Sequence, residues 1–208
     1  MQIISHRGYW REAPEKNTKI AFERSFLHGY GVETDLRDLS GSLVIAHDMP
    51  TGTEIEFDDF LSFAEKTSGN KLLTIALNIK ADGLASSVRN ILDLHQNIDC
   101  FVFDMSTPDM RSYLDLNIPV FTRMSEVEQT PIWLGQSAGV WLDSFESDWY
   151  STELVEELLQ QKKRVCIVSP ELHSRDYLAL WKKIHRLQKY KQLILCTDYP
   201  DLANKFFV

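Results

Sequence analysis

The stretch Leu72–Lys80, LLTIALNIK, decides the fold. Its side chains are apolar, or nearly so, as far as Leu77, the composition of a strand covered on both faces. It then ends on two hydrogen-bonding side chains, Asn78 and Lys80, with one residue between them. Alternate residues of a strand point the same way, so an amide and an ammonium project together from one end of a buried strand.

The same signature recurs in both directions along the chain. Strands are expected at "IIS" near Ile3, "VETDL" at Val32, "CFVFD" at Cys100 and "PVFTR" at Pro119. Three more are expected at "GVWLD" from Gly139, "RVCIVS" from Arg164 and "LILCT" from Leu193. Helical patterns lie between them. Residues 17–31 start with the capping residues Asn17 and Thr18, place Phe22 and Phe26 on one face and stop at Gly29 and Gly31. Residues 177–190 repeat Tyr177, Trp181, Ile184 and Leu187 at helical spacing, and the basic side chains between them read as a solvated outer face. Buried strands alternating with helices imply a parallel sheet, and about eight such units fit a lean α/β barrel, (β/α)₈. An open doubly wound sheet is the competing architecture. "GSLVIAHD", after a turn at Leu39–Ser42, extends the second strand as a hairpin. Residues 1–208 read as one domain.

Composition narrows the function. With 208 residues, 44% hydrophobic and 25% charged, the chain has the make-up of a globular protein. A formal net charge of −8 argues against general binding to nucleic acid or to an anionic membrane surface. No apolar run reaches the roughly 20 residues of a membrane span, so stable membrane insertion is not expected. Nothing in MQIISHRGYW reads as a signal peptide, and Cys100, Cys166 and Cys196 sit in apolar segments as core thiols do. A cytoplasmic location is the expectation.

In a barrel the functional groups belong at the C-terminal ends of strands. Those ends carry His6 and Arg7, Glu33 and Asp35, His47 and Asp48, Asn78 and Lys80, Asp104, Arg123, Asp143 and Asp198. Glu33 and Asp35 face one side of their strand and need a counter-charge. Either a hard divalent cation supplies it, or ion pairs with Arg7, Arg37 or Lys80 do. His6 and His47 are either an acid–base pair suited to neutral pH or buried histidines satisfied by backbone carbonyls.

Taken in order, His-Arg-Gly at His6, EKNTKIAFERSFLHGYGVETDL from Glu15, LVIAHD from Leu43 and the closing CTDYPD resemble the glycerophosphodiester phosphodiesterase family. The resemblance is strong over the first quarter and moderate at the last strand. It implies a phosphodiester hydrolase, tied to lipid metabolism, that uses one divalent cation, Mg²⁺ or Ca²⁺, on a small phosphodiester substrate. By position, His6 and His47 match the catalytic histidines, Glu33, Asp35 and Asn78 the metal ligands, and Arg7 and Lys80 the basic residues near the phosphate.

The departures are informative. Asn78 stands where the family has a glutamate, so the site carries one carboxylate fewer. Lys16 is inserted in "PEKNT", which unsettles the role of Glu15. The segment after Asp48 is short where the family has an insertion that helps form the substrate pocket, and Ser169, Glu171 and His173 occupy active-site territory without a family role. Tyr9 and Trp10 are expected to overhang the mouth, and Trp133, Trp141, Trp149 and Trp181 to pack in the core. Alternatives to the glycerophosphodiester reading are a phosphodiesterase for sugar- or nucleotide-linked substrates and a barrel that binds phosphorylated ligands without turnover.

Overall fold

In the computed structural model, which describes residues 1–69 and 71–207, the Leu72–Lys80 stretch becomes strand β4, Leu73–Ile79, buried at every position. The other strands follow the expected segments: β1 Gln2–His6, β2 Gly31–Leu39, β3 Ser42–Ile45, β5 Ile98–Phe103, β6 Phe121–Met124, β7 Gly139–Leu142, β8 Arg164–Val168 and β9 Leu193–Thr197. Eight of them are parallel, in the order β5-β4-β2-β1-β9-β8-β7-β6. β5 and β6 approach through a single bridge, Val102 to Val120, so the ring is nearly closed. β3 pairs antiparallel with β2, Leu36 opposite Ile45, as the expected hairpin. The arrangement is a (β/α)₈ barrel, and the open doubly wound sheet is excluded by β1 lying between β2 and β9.

Seven α-helices surround it among the described residues: α1 Lys19–Leu27, α2 Phe57–Ser68, α3 Ala85–Leu92, α4 Thr107–Asp115, α5 Thr152–Gln160, α6 Leu178–Ile184 and α7 Pro200–Phe207. Between β6 and β7 the chain runs through a loop, 125–138, without a helix. None of the helices is long and apolar enough to cross a membrane. Outside the ring, α1–α4 cover β2–β5 around Phe22, Phe57 and Phe60, while α5–α7 cover β7–β9 around Trp181 and Ile184. Inside it, alternate strand residues such as Ile4, Ala76, Phe101, Phe121, Trp141, Cys166 and Ile194 fill the barrel. Phe101 stacks on Phe121 at 3.7 Å between ring centres, closing the seam with side chains where backbone pairing is sparse. At the N-terminal end of the barrel Arg164 makes a two-pronged ion pair with Asp99, at 2.8 and 2.6 Å, which also accepts from Thr74.

Gly31 ends α1's exit and starts β2, and its role is a close approach rather than a helix stop. A Cβ built there would lie 2.3 Å from the Thr74 carbonyl oxygen and 2.7 Å from Ile4. Gly31→Ala is expected to lower stability by about 3 kcal/mol, the cost of forcing strand backbone apart in a packed barrel. Denaturant titration checks it; a loss under about 1 kcal/mol would mean that the ring yields there.

His95 pins α2 to the loop before β5. Its Nδ1 lies 2.9 Å from Glu65 Oε2 and its Nε2 2.8 Å from Asp58 Oδ1. Burial opposes its charge, yet the two carboxylates outweigh burial and raise its pKa. A raised folded pKa stabilises below the unfolded value, near 6.5, and that contribution fades as pH rises through the folded value. The melting temperature of the wild type should therefore exceed that of His95→Gln by more at pH 6 than at pH 9. Equal differences at both would remove the charge from the account.

Among the tryptophans, Trp181 and Trp141 are core as expected, and Trp149 is partly buried. Trp133 is not: it sits at φ +53° in the 125–138 loop with its ring half-exposed, because the missing helix leaves no apolar face to receive it.

Candidate active site

The strand register brings four of the expected residues together. His6 of β1 is level with Glu33 of β2, and Asp35 of β2 is level with Asn78 of β4. Glu33, Asp35 and Asn78 are all buried.

His6 Nδ1 donates to Asp198 Oδ1 at 2.7 Å, from the end of β1 to the end of β9. Its Nε2 faces Glu33 Oε2 at 3.9 Å. Burial holds the His6 pKa below its ordinary value, against the pull of the Asp198 hydrogen bond and charge. A neutral ring whose Nδ1–H is committed to a carboxylate keeps its lone pair on Nε2, so the group is set up as a base. The partner is a carboxylate, not the backbone carbonyl that a merely structural histidine would use.

Asp35 gathers the basic groups. Arg7 Nε lies 3.0 Å from its Oδ2, Lys80 Nζ 3.3 Å from its Oδ1, and Asn17 Nδ2 donates to Oδ2 at 2.9 Å. Asn17 is thus a site residue and not a helix cap: its Oδ1 accepts from Thr34, and the Thr18 hydroxyl donates to the Glu15 carbonyl. Arg7 and Asn17 both sit in the left-handed region, at φ +56° and +58°, and are joined by a 2.9 Å backbone hydrogen bond. Non-glycine residues pay of order 1–3 kcal/mol for such backbones, and here that strain aims two side chains at one carboxylate. Burial first, and then the Asp35 charge, push the Glu33 pKa well up, with Arg7 and Lys80 pulling the other way.

Three oxygens at this spot are buried without a hydrogen bond: Glu33 Oε2, Asn78 Oδ1 and Asp35 Oδ1, the last facing the Lys80 ammonium at 3.3 Å. An orphaned buried acceptor costs about 1–3 kcal/mol, and two such oxygens beside a third that only an ammonium faces fit a hard cation such as Mg²⁺ or Ca²⁺. Among the described residues no group of three His, Cys, Asp or Glu side chains is arranged to hold a metal. The third donor here is an amide, which brings an oxygen and no charge. The Asn78 Nδ2 is turned toward Asp104 Oδ2 at 3.2 Å, leaving its Oδ1 free.

His47 stands apart from this group. It lies just past Ala46, whose N–H donates to the Asp35 carbonyl, so it is at the rim beside β2. Its ring is 43% exposed and its partner is the exposed Asp48, at 2.9 Å. Among the described residues it makes no ion pair or hydrogen bond to His6, Glu33, Asp35 or Asn78. Glu15 is also outside the site: it holds Arg24 and the Arg11 N–H, contacts that bring its pKa down to about 2. Of the two aromatics expected at the mouth, Trp10 donates to the His6 carbonyl and lies under Lys16, whereas Tyr9 packs edge-on against His28 and Tyr30 away from it.

The opposite side of the mouth holds groups that sequence reading left without roles. His173 Nε2 donates to Asp143 Oδ1 at 2.7 Å, a second imidazole–carboxylate pair. Arg123 bridges Glu128 at 2.5 Å and Asp104 at 3.4 Å. Glu171, its pKa raised by burial, accepts from Ser169, Thr197 and the Asp198 N–H, and so fixes the carboxylate that holds His6. The paired strand-end positions of Asp143 and His173 were visible in the sequence, but their meeting depends on β7 and β8 being neighbours.

The same barrel is found in solved phosphodiesterases. The structure is similar to a glycerophosphodiester phosphodiesterase from Agrobacterium tumefaciens, with TM-score 0.74 and 15% identity over 99% of this chain and 98% of that one. It is similar to another from Thermotoga maritima, with TM-score 0.62 and 16% identity over 98% and 97%. A Ca²⁺-dependent phosphatidylinositol-specific phospholipase C from Streptomyces antibioticus aligns with TM-score 0.64 and 10% identity over 100% and 96%. No protein-family model matches the chain, and no curated protein matches it in sequence. What is shared at these identities is the barrel fold.

Proposed function

We propose that this protein is a divalent-cation-assisted phosphodiester hydrolase acting on a small soluble or lysolipid-like phosphodiester. The observation that carries the reading is the trio of buried oxygens without a hydrogen bond on Glu33, Asp35 and Asn78 beside a carboxylate-held His6. The structural neighbours, two glycerophosphodiester phosphodiesterases and a Ca²⁺-dependent phospholipase C, support the same chemistry.

Glu33, Asp35 and Asn78 would hold the cation, which when bound neutralises charge growing on the phosphoryl oxygens. Arg7 and Lys80, now shared by Asp35, swing or lean toward the same oxygens and bind the anionic diester. His6 Nε2 takes the proton from the attacking hydroxyl, either water or a neighbouring hydroxyl of the substrate, while Asp198 stabilises the imidazolium that forms. As the phosphorus–oxygen bond to the leaving group breaks, His47 at the rim returns a proton to that oxygen. Trp10 donates its indole N–H to the His6 carbonyl and so steadies the backbone that carries the base.

Hydrolysis of bis(4-nitrophenyl) phosphate and of glycerophosphodiesters in Mg²⁺, Ca²⁺ or Mn²⁺ tests this. Inertness toward all of them would favour the second reading, a phosphate-ester-binding barrel without turnover. The neutral Asn78 in the ligand trio is the observation behind that reading.

A further inference from the structure

One short turn reaches the proposed base through an intermediary. The 3₁₀ turn Pro170–His173 follows β8 and carries Glu171, a carboxylate that none of the steps above uses. Glu171 Oε1 accepts from the Asp198 backbone N–H at 3.1 Å and from the Thr197 hydroxyl, and Oε2 accepts from the Ser169 hydroxyl. β9 ends at Thr197 and α7 starts at Pro200, so Asp198 lies in the two-residue connection between them. It sits beyond the last ladder pair, Ser5 with Thr197, and its N–H goes to Glu171 instead of to a strand. From that connection its side chain holds His6 Nδ1 at 2.7 Å.

The proton directions in this network are fixed from outside. Trp181 of α6 donates its indole N–H to Ser169 Oγ at 2.8 Å, and the Tyr199 N–H donates to Thr197 Oγ1 at 3.0 Å. Each hydroxyl, accepting on one side, has its own proton left for Glu171. Ser169 and Thr197 are fully buried, so neither can turn to solvent instead. Three donors thus converge on two oxygens, the complement of a carboxylate and not of a carboxylic acid. Burial raises the Glu171 pKa, and these donors pull against it. A chain of hydrogen bonds therefore runs from the outer helix layer, through Ser169, Glu171 and Asp198, to the imidazole at the mouth.

We propose that Glu171 is the positioning residue of the His6 base: by locking Thr197 and Asp198 after β9, it keeps the Asp198 carboxylate on His6 Nδ1 and the lone pair on Nε2. The inference rests on the hydrolase reading above. Among the described residues Glu171 makes no hydrogen bond or ion pair to Arg7, Glu33, Asp35, Asn78 or Lys80. Its loss therefore falls on the proton step and spares the groups that face the phosphate.

The test pairs Glu171→Ala with Glu171→Gln. Glutamine keeps an acceptor for the Asp198 N–H and the Thr197 hydroxyl and turns its amide N–H toward Ser169 Oγ, whereas alanine keeps nothing. With bis(4-nitrophenyl) phosphate, Glu171→Ala should lose about 10- to 100-fold in kcat at nearly unchanged KM, and Glu171→Gln should return to within about fivefold of wild type. A second readout needs no turnover. The His6 Nδ1 proton, sheltered by its carboxylate, should give a slowly exchanging imidazole resonance, identified by its absence in His6→Gln. It should persist in Glu171→Gln and broaden away in Glu171→Ala. A kcat in Glu171→Ala within about threefold of wild type, a loss carried by KM, or equal losses in both variants would overturn the proposal. Should Glu171→Ala fail to fold, Glu171→Leu, which fills the space without an acceptor, takes its place under the same criteria. If the wild type hydrolyses no diester, the hydrolase reading fails by itself, and the resonance alone judges Glu171: its survival in Glu171→Ala rejects the positioning role.

Discussion

Replacing His6 by alanine is expected to cut kcat/KM toward a phosphodiester by about 10²- to 10⁴-fold while the barrel stays folded. The size follows from what is lost. His6 is the imidazole of the mouth whose free nitrogen faces the acidic couplet and whose other nitrogen is fixed by a buried carboxylate. Its pKa, lowered by burial, keeps the ring unprotonated and ready to accept near neutral pH. Water filling the vacated space cannot be oriented by Asp198 in the same way, and the attacking hydroxyl keeps its proton longer. Unchanged far-ultraviolet circular dichroism would show that the fold survives. Rates within a few-fold of wild type would take His6 out of the chemistry. His47→Ala gives the matching measurement for the leaving group, and a loss there smaller than about tenfold would reassign the acid.

Stripping divalent cations is the second large effect. Excess chelator should abolish turnover, and adding back Mg²⁺ or Ca²⁺ should restore it. Asn78→Glu sharpens this into a measurement that does not need activity. The new carboxylate would face Asp104, toward which Asn78 now donates at 3.2 Å, so the metal-free variant should melt lower than wild type. Adding the third charge to the donor trio should tighten cation binding by about tenfold or more, since ligand charge count tunes such sites over decades. Stabilisation by a bound cation grows as RT ln(1 + [cation]/Kd), so the variant's melting temperature should climb further than the wild type's as Ca²⁺ is added. Equal climbs, or none in either protein, would argue that Asp35 is satisfied by Arg7 and Lys80 alone.

Most of the barrel was legible because its strands announce themselves. β4 and β9 begin and end where their apolar runs do, and the hairpin β2–β3 was signalled by a polar turn between alternating strands. Gly31 was harder. Its need for a bare backbone comes from Thr74, which lies beside it only once β2 and β4 pair. The site divides the same way. Glu33 and Asp35 share a strand, and spacing alone puts them on one face. His6 and Asp198 or His173 and Asp143 meet through strand neighbours that no local pattern specifies. Asn17 looked like a cap because its sequence position is one, and only the positive φ at Arg7 and Asn17 turns it toward Asp35. The missing helix after β6 was also unannounced, since a loop of 125–138 has no periodicity to fail.

The His6–Asp198 contact joins residues 192 positions apart. During translation the first strand leaves the ribosome with its histidine and waits, unaligned, until β9 arrives and slides in beside it. Glu33, Asp35 and the hairpin are encoded within the first 45 residues, whereas the partner that orients the His6 ring comes from the end of the last strand. On the proposed reading of His6 as the base, a chain lacking the closing stave would lack the hydrogen bond that orients it.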